Sequence, residues 1–180
     1  MKGAKVIWYY ITEFQRYSVS NEGDVRNNRT DRVLKQSINR GGVVYVSLHL
    51  GGKIHVRSVA RLVAMEFLEE PVNEAFDTPL HLDNDPWNNH ARNLMWRPRW
   101  FCHKYKQQFD GRYGDQGITQ IRETGEVLPI WDAVMRYGIL YRKIVVAMAT
   151  DEEDRQQPMF SPYHFDIPDV YTISPKNRRI

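Results

Sequence analysis

The sequence predicts an α+β protein with a small antiparallel sheet towards its N-terminal end and helices after it, and three patterns carry that prediction. Apolar and polar residues alternate along residues 17–25 and again along residues 43–50, the period of a half-buried strand. Apolar residues then fall at helical spacing at Val59, Leu62, Val63 and Phe67, and again at Trp96, Trp100, Phe101 and Tyr105. After a polar, glycine-rich linker at 110–117 the pattern restarts with two strand-like segments and two short helical ones.

Taken in order, residues 6–11 have strand length. The apolar stretch there is only six residues long, too short for a secretory segment, so the chain is read as entering its fold at once. The alternation of 17–25 turns at Asn21 to Gly23, and 43–50 is bracketed by Gly41-Gly42 and Gly51-Gly52 before 53–57 continues as a further strand. A twisted sheet with one wet face is expected. Ser58 is a capping residue for the helix that follows, and Pro71 ends that segment. Residues 73–89 have neither period and are rich in Asp, Asn and Pro, which predicts a loop with a short hairpin about 80–82. A helix is expected over about 98–109, with Trp87, Trp96 and Trp100 as core anchors of a very small module. Residues 118–122 and 127–130 flank the turn Thr124-Gly125, and 131–137 and 140–149 are two helices separated by Gly138, the arrangement of a helix-turn-helix. Residues 160–165 read as a closing strand, and the basic end at 174–180 as frayed.

Composition narrows the function classes. With 42% apolar and 26% charged residues over 180 positions, the chain has the make-up of an ordinary soluble protein. No apolar run approaches the roughly 20 residues needed to span a bilayer. The single cysteine, Cys102, excludes a disulfide framework and a multi-cysteine zinc cage, and a reducing, cytoplasmic compartment is expected. Net charge is only +3, but it is unevenly spread: residues 1–60 carry ten Lys or Arg against four Asp or Glu, and residues 97–112 five against one. Basic surface beside hydrogen-bonding side chains such as Asn27, Asn28, Gln36 and Asn39 suits a polyanionic backbone, and suits a merely solvated face equally well.

Three segments together resemble the phage and intron HNH homing endonucleases. YSVSNEGDVR (Tyr17 to Arg26), VLK (Val33 to Lys35) and YVSLHLGGK (Tyr45 to Lys53) are similar to the NUMOD4-like DNA-binding module that precedes many HNH units. ARLVAMEF resembles the helix that follows it, with Ala60 where the family usually has His. HLDNDPWNNHARNLMW, from His81 to Trp96, resembles the family core H-x-D-G-D/N-x-x-N-N-x-x-x-N-L-x-W, with Asn84 in place of the usual glycine. Asn tolerates the left-handed turn required there better than most residues.

The resemblance implies a ββα-metal (His-Me finger) unit between the N-terminal sheet and a C-terminal helix-turn-helix, divided as 1–54, 55–112 and 113–180. Hydrolysing a phosphodiester needs a base for water, neutralisation of the charge developing on the phosphate, and a frame that holds both. His81 is the candidate base, provided an amide or carbonyl fixes its other ring nitrogen, and by resemblance Asn93 supplies the frame. In better-known members an Asp directly before the His and an Asn on the following helix bind the divalent ion. Here those positions hold Leu80, which coordinates nothing, and Cys102, a poor ligand for a hard cation unless ionised. His103, with Asp83 or Asp85, is a substitute donor set for Mg²⁺, Mn²⁺ or Zn²⁺, although adjacent helical residues point about 100° apart, so Cys102 and His103 cannot both face one site well. Against these stand blander roles: Cys102 as a small buried hydrophobe, and Asp83, Asp85, Asn88 and Asn89 as loop-shaping residues.

The partner implied is double-stranded DNA, bound by a monomer laid along the duplex in a bacterial or phage-infected cell, with strands in one groove and the helix-turn-helix reading another. Candidate contacts are Arg26, Arg29, Arg32, Lys35, Arg40 and Lys53 around the N-terminal sheet, Arg97, Arg99, Lys104 and Lys106 beside the candidate site, and Tyr141, Arg142 and Lys143 on the recognition helix. Two readings remain open, a metal-dependent nicking or cleaving enzyme and a DNA-binding scaffold that has lost the chemistry. A protein-binding module built on the aromatic residues is a third.

Overall fold

Backbone pairing begins close to the N-terminal end, where β1 (Trp8–Tyr10), β2 (Tyr17–Ser20), β3 (Val25–Asn27) and β4 (Arg32–Val33) join in that order as one antiparallel sheet. A computed structural model describes residues 5–110, 117–150, 154 and 156–168. Most of the expected linker and the whole of the basic end at 174–180 lie outside the described residues. The expected wet face is absent from β2, all four of whose residues are buried. Two of them are serines that can be enclosed because each has a partner: the Ser18 hydroxyl bonds Asn28 Oδ1 at 2.8 Å, and Ser20 Oγ accepts from the Asp24 amide at 2.9 Å.

A second antiparallel sheet contains β5 (Ser37–Ile38), β6 (Val44–Leu50) and β7 (Lys53–Ser58) in chain order. Gly51 and Gly52 close its long hairpin with φ of +59° and +74°, the left-handed pair that a two-residue turn requires. On β6 the alternation holds, with Val44, Val46 and Leu48 buried between more exposed neighbours. Ser58 then caps α1 (Val59–Phe67) by accepting from the Arg61 amide. Val59, Leu62 and Val63 of α1 pack with Val19, Val25, Val46 and Leu48 in one core, which Leu94 also joins.

The loop region departs from its expected form. Thr78–His81 (β8) does not turn back locally; it pairs with Leu94–Arg97 (β9), in the register Thr78↔Arg97 to His81↔Leu94. The chain between them makes a long excursion that ends in a 3-10 turn at Ala91–Asn93. Trp87 and Trp100 are 52% and 50% exposed, so neither is the core anchor expected of it. A helix, α2 (Arg99–Asp110), follows.

Contacts divide the chain into two units, Met1–His103 and Lys104–Ile180, and α2 spans the boundary in sequence. In the second unit, β10 (Ile118–Ile121) lies between β11 (Val127–Pro129) and the short β12 (Phe165–Asp166). Of the expected closing segment only its last residue, Phe165, is in that strand, and Asp166 is held there by a two-pronged bond from Arg122. The helices α3 (Ile130–Tyr137) and α4 (Tyr141–Ala149) follow, with Gly138 in the left-handed conformation ending the first. No side chain caps α4 locally; Gln108 Oε1 accepts from its first amide, that of Tyr141, at 2.9 Å. Among the described residues no helix is long and apolar enough to cross a membrane.

Leu48 and Ile54 sit in the same hairpin but are 0% and 64% exposed. Leu48→Ala is expected to destabilise the first unit by about 2–5 kcal/mol, a large-to-small change in a closed core. Ile54→Ala should stay within about 0.5 kcal/mol, as surface changes usually do. Urea unfolding of the two variants checks the difference, and equal midpoints would contradict the assigned strand faces.

Candidate active site

His81 ends β8, half-buried, where the ribbon gives way to the Asp- and Asn-rich excursion. Its Nε2 lies 3.0 Å from Asn89 Oδ1. The orientation of that amide is fixed independently, because Asn89 Nδ2 donates to the carbonyls of Pro86 at 3.2 Å and Trp87 at 3.4 Å. Oxygen therefore faces the ring, and His81 Nε2 must be the donor. In the neutral imidazole the lone pair is then on Nδ1, the tautomer in which that nitrogen acts as a base. Asn89 is only 2% exposed, so water does not compete for these bonds. Sequence reasoning assigned Asn89 to loop shaping and missed this role; the available signal was the adjacent Asn pair inside the motif.

The excursion is held largely by side-chain hydrogen bonds, to backbone amides and carbonyls and to one another. Asp83 Oδ1 accepts from the Asp85 amide at 2.9 Å and from Asn93 Nδ2 at 2.8 Å, while Oδ2 accepts from Asn88 Nδ2 at 2.6 Å. Asn93 also donates to the Asn88 carbonyl at 2.8 Å, and its Oδ1 accepts from the Asp83 amide at 3.1 Å. Asp85 Oδ1 receives the Trp87 amide at 2.9 Å. Asn84 takes φ of +61°, the left-handed turn the motif calls for. Asn93 thus lies at the centre of the loop, tied to Asp83 and Asn88.

The metal set expected from sequence is not assembled. Among the described residues no three His, Cys, Asp or Glu side chains lie together as a cation site. Both Asp83 oxygens are engaged in the loop, and His103 is on an exposed face of α2. The Cys102 thiol lies 3.8 Å from the Thr78 carbonyl and 3.9 Å from that of Arg97, at the last rung of the ribbon. His81 is on the opposite rung, and three residues of strand span roughly 10 Å. Burial, opposed by the charge of Arg97 and aided by that of Asp77, pushes the thiol up to about 11. A neutral thiol does not suit a hard divalent cation. Leu80 is buried at 4% exposure, so it offers only packing.

The basic residues divide by environment. Arg29, Arg32, Lys35, Arg40, Lys53 and Arg99 are exposed in the first unit, and Lys104, Lys106, Arg142 and Lys143 in the second. Arg26 is partly withdrawn, 4.3 Å over the Trp8 ring and 3.3 Å from Asp31. Arg97, expected as a DNA contact, is instead 8% exposed, with one guanidinium nitrogen on the Trp96 carbonyl at 3.0 Å at the final rung of the ribbon. Tyr141 is drawn into helix packing, its ring 5.0 Å from that of Trp131, so it is half-buried at the start of α4.

A thiol with a pKa near 11 is about one part in a thousand ionised at pH 8, so Cys102 should alkylate slowly, the rate rising about tenfold per pH unit up to pH 10. Iodoacetamide labelling of the folded chain followed by mass spectrometry measures this. A plateau near pH 9 would refute the raised value.

Residues 7–49 match the NUMOD4 motif. Over 89 residues, 48% of this chain, it is 39% identical to an uncharacterized HNH endonuclease of Acanthamoeba polyphaga mimivirus, of which it covers 22%. Over 93 residues it is 35% identical to the DNA endonuclease I-HmuI of Bacillus phage SP01, of which it covers 51%. The chain therefore spans about half or less of the length of these relatives. A solved structure of I-HmuI, described as DNA binding and cleavage by that HNH homing endonuclease, superposes with a TM-score of 0.50 at 24% identity, covering 89% of this chain and 97% of that one, a likeness of fold. In its NUMOD4 motif and in the stretches shared with these relatives the chain is similar to HNH endonucleases, and its fold is like that of the HNH homing endonuclease I-HmuI.

Proposed function

We propose that the chain binds double-stranded DNA and hydrolyses a phosphodiester, with His81 as the general base. The observation that carries this reading is the bond between His81 Nε2 and Asn89 Oδ1, with the amide held by two carbonyls. Nδ1 takes a proton from water, the resulting hydroxide attacks phosphorus, and the bond to the 3′ oxygen breaks, that oxygen collecting a proton from solvent. Asn89 orients the ring and Asn93 holds the loop that carries Asn89; neither needs to touch the substrate. A divalent ion would neutralise the phosphate in such a reaction. Asp83, Cys102 and His103 do not fit that task, for the reasons of position and protonation given above.

DNA binding is assigned to the exposed basic residues of both units, with Arg29, Arg32, Lys35, Arg40 and Lys53 in a module of residues 1–54, Arg99, Lys104 and Lys106 in 55–112, and Arg142 and Lys143 opening the second helix of 113–180 as a helix-turn-helix. Binding as a monomer is part of this reading. A second reading, a DNA-binding scaffold without strand scission, is favoured by Leu80 and by the protonated Cys102 at the positions where the family carries ligands.

Nicking of supercoiled and phage DNA in Mg²⁺, Mn²⁺ or Zn²⁺ separates the two. The enzyme reading expects His81→Ala to lose scission while keeping affinity; no scission by the unmodified chain in any ion selects the scaffold, and equal scission by the variant removes His81 as the base. Arg29→Ala and Arg142→Ala should each weaken binding and reduce the slope of log affinity against log salt by about one. Unchanged slopes would remove those residues from the interface.

A further inference from the structure

The turn between β2 and β3 reaches across to the segment that holds His81. The Ala91 amide donates to the Asn21 carbonyl at 2.8 Å. Glu22 Oε1 lies 3.3 Å from His90 Nε2. His90 Nδ1 accepts from the Arg92 amide at 3.0 Å, so the neutral ring carries its hydrogen on Nε2 and donates it to Glu22. Between these contacts Gly23 lies directly against Asn89: a Cβ placed on the glycine would be 2.7 Å from Asn89 Cβ and 3.1 Å from the Asn89 carbonyl oxygen. Gly23 is buried with φ of +92°, so glycine is required there both for backbone conformation and for space. The turn is itself held, since Gln36 Nε2 donates to the Gly23 carbonyl at 2.8 Å and the Gly23 amide to Ser20 at 3.1 Å.

We propose that the β2–β3 turn is a positioning element for His81, with Gly23 as its critical residue. It sets the backbone of Asn89, and the Asn89 amide sets the ring. The two carbonyls that orient that amide belong to Pro86 and Trp87, in the same short stretch of loop. Displacing Asn89 therefore disturbs both ends of the bond that selects the tautomer. The N-terminal sheet is then part of the histidine site as well as a surface for DNA. The functional weight of this inference rests on His81 being the base, but its test does not, because the ring is observed directly.

The full chain is labelled with ¹⁵N-histidine, the His81 resonances are assigned by their loss in His81→Ala, and long-range ¹H–¹⁵N spectra report which ring nitrogen is protonated. The unmodified chain is expected to show the Nε2–H pattern alone. Gly52→Ala controls for backbone strain, since Gly52 has φ of +74° but nothing within 4 Å of an added Cβ. It should keep the pattern, whereas Gly23→Ala should lose it to averaging between tautomers. An unchanged His81 pattern in folded Gly23→Ala, or equal loss in Gly52→Ala, overturns the proposal. Should Gly23→Ala not fold, Glu22→Ala carries the test: it removes the His90 contact and the 3.3 Å bond from Asn21 Nδ2 within the turn, broadening of the His81 pattern is expected, and an unaltered spectrum overturns the proposal. Failure of cleavage with an intact tautomer response would count against His81 as base and leave the positioning role standing.

Discussion

A primary amide has two hydrogens on one side and an oxygen on the other, and at Asn89 both sides are occupied away from water. The nitrogen faces two backbone carbonyls and the oxygen faces His81. Turning the amide over would set oxygen against oxygen, and each buried polar group so stranded costs about 1–3 kcal/mol. The tautomer of His81 is consequently decided by the course of the backbone at Pro86 and Trp87. Everything proposed for the ring follows from that constraint.

The loop meets the constraint chiefly through hydrogen bonds. Asp83, Asp85, Asn88 and Asn93 bond one another and the intervening amides, while Asn84 supplies the left-handed turn. Such a network fixes a shape while leaving Trp87 half exposed and the polar surface open. Of its own apolar side chains Ala91 packs against the first core, and Asn89 needs further support beneath it. That support comes from the first sheet, whose central strand is buried on both faces and whose following turn bears on Asn89 and Ala91. Core, sheet, turn, amide and imidazole thus form one line of contact within the first unit.

Much of this was legible in the sequence where local pattern decides. The alternation of β6, the paired glycines after it, the Ser58 cap and the turn at Gly125 lie where the periods and turn residues predict, since each depends on neighbours a few residues away. The pairing of Thr78–His81 with Leu94–Arg97 was not legible, because it closes a long excursion and one strand contains Pro79, an unfavourable strand residue tolerated at an edge. Nor does composition tell which face a tryptophan or arginine occupies; Trp87 and Trp100 proved exposed and Arg97 buried. Within the site, the motif located His81 and Asn93, but of two adjacent asparagines only geometry distinguishes Asn88, which braces the loop, from Asn89, which holds the ring.

Leu80 and Cys102, which stand where the resemblance implies metal ligands, have a definite part in the ribbon. Two short strands alone are marginal in water and need a packed face. Leu80 supplies buried surface in the middle of β8, and the protonated thiol of Cys102 points at the carbonyls of Thr78 and Arg97, where pairing ends. Together with the asparagine network they specify the ribbon by contacts within the chain. The orientation of His81 is accordingly tied to contacts within the chain. Scission and mere binding would then differ in the chemistry at the phosphate and not in the architecture around it, which is why a change confined to the imidazole can tell them apart.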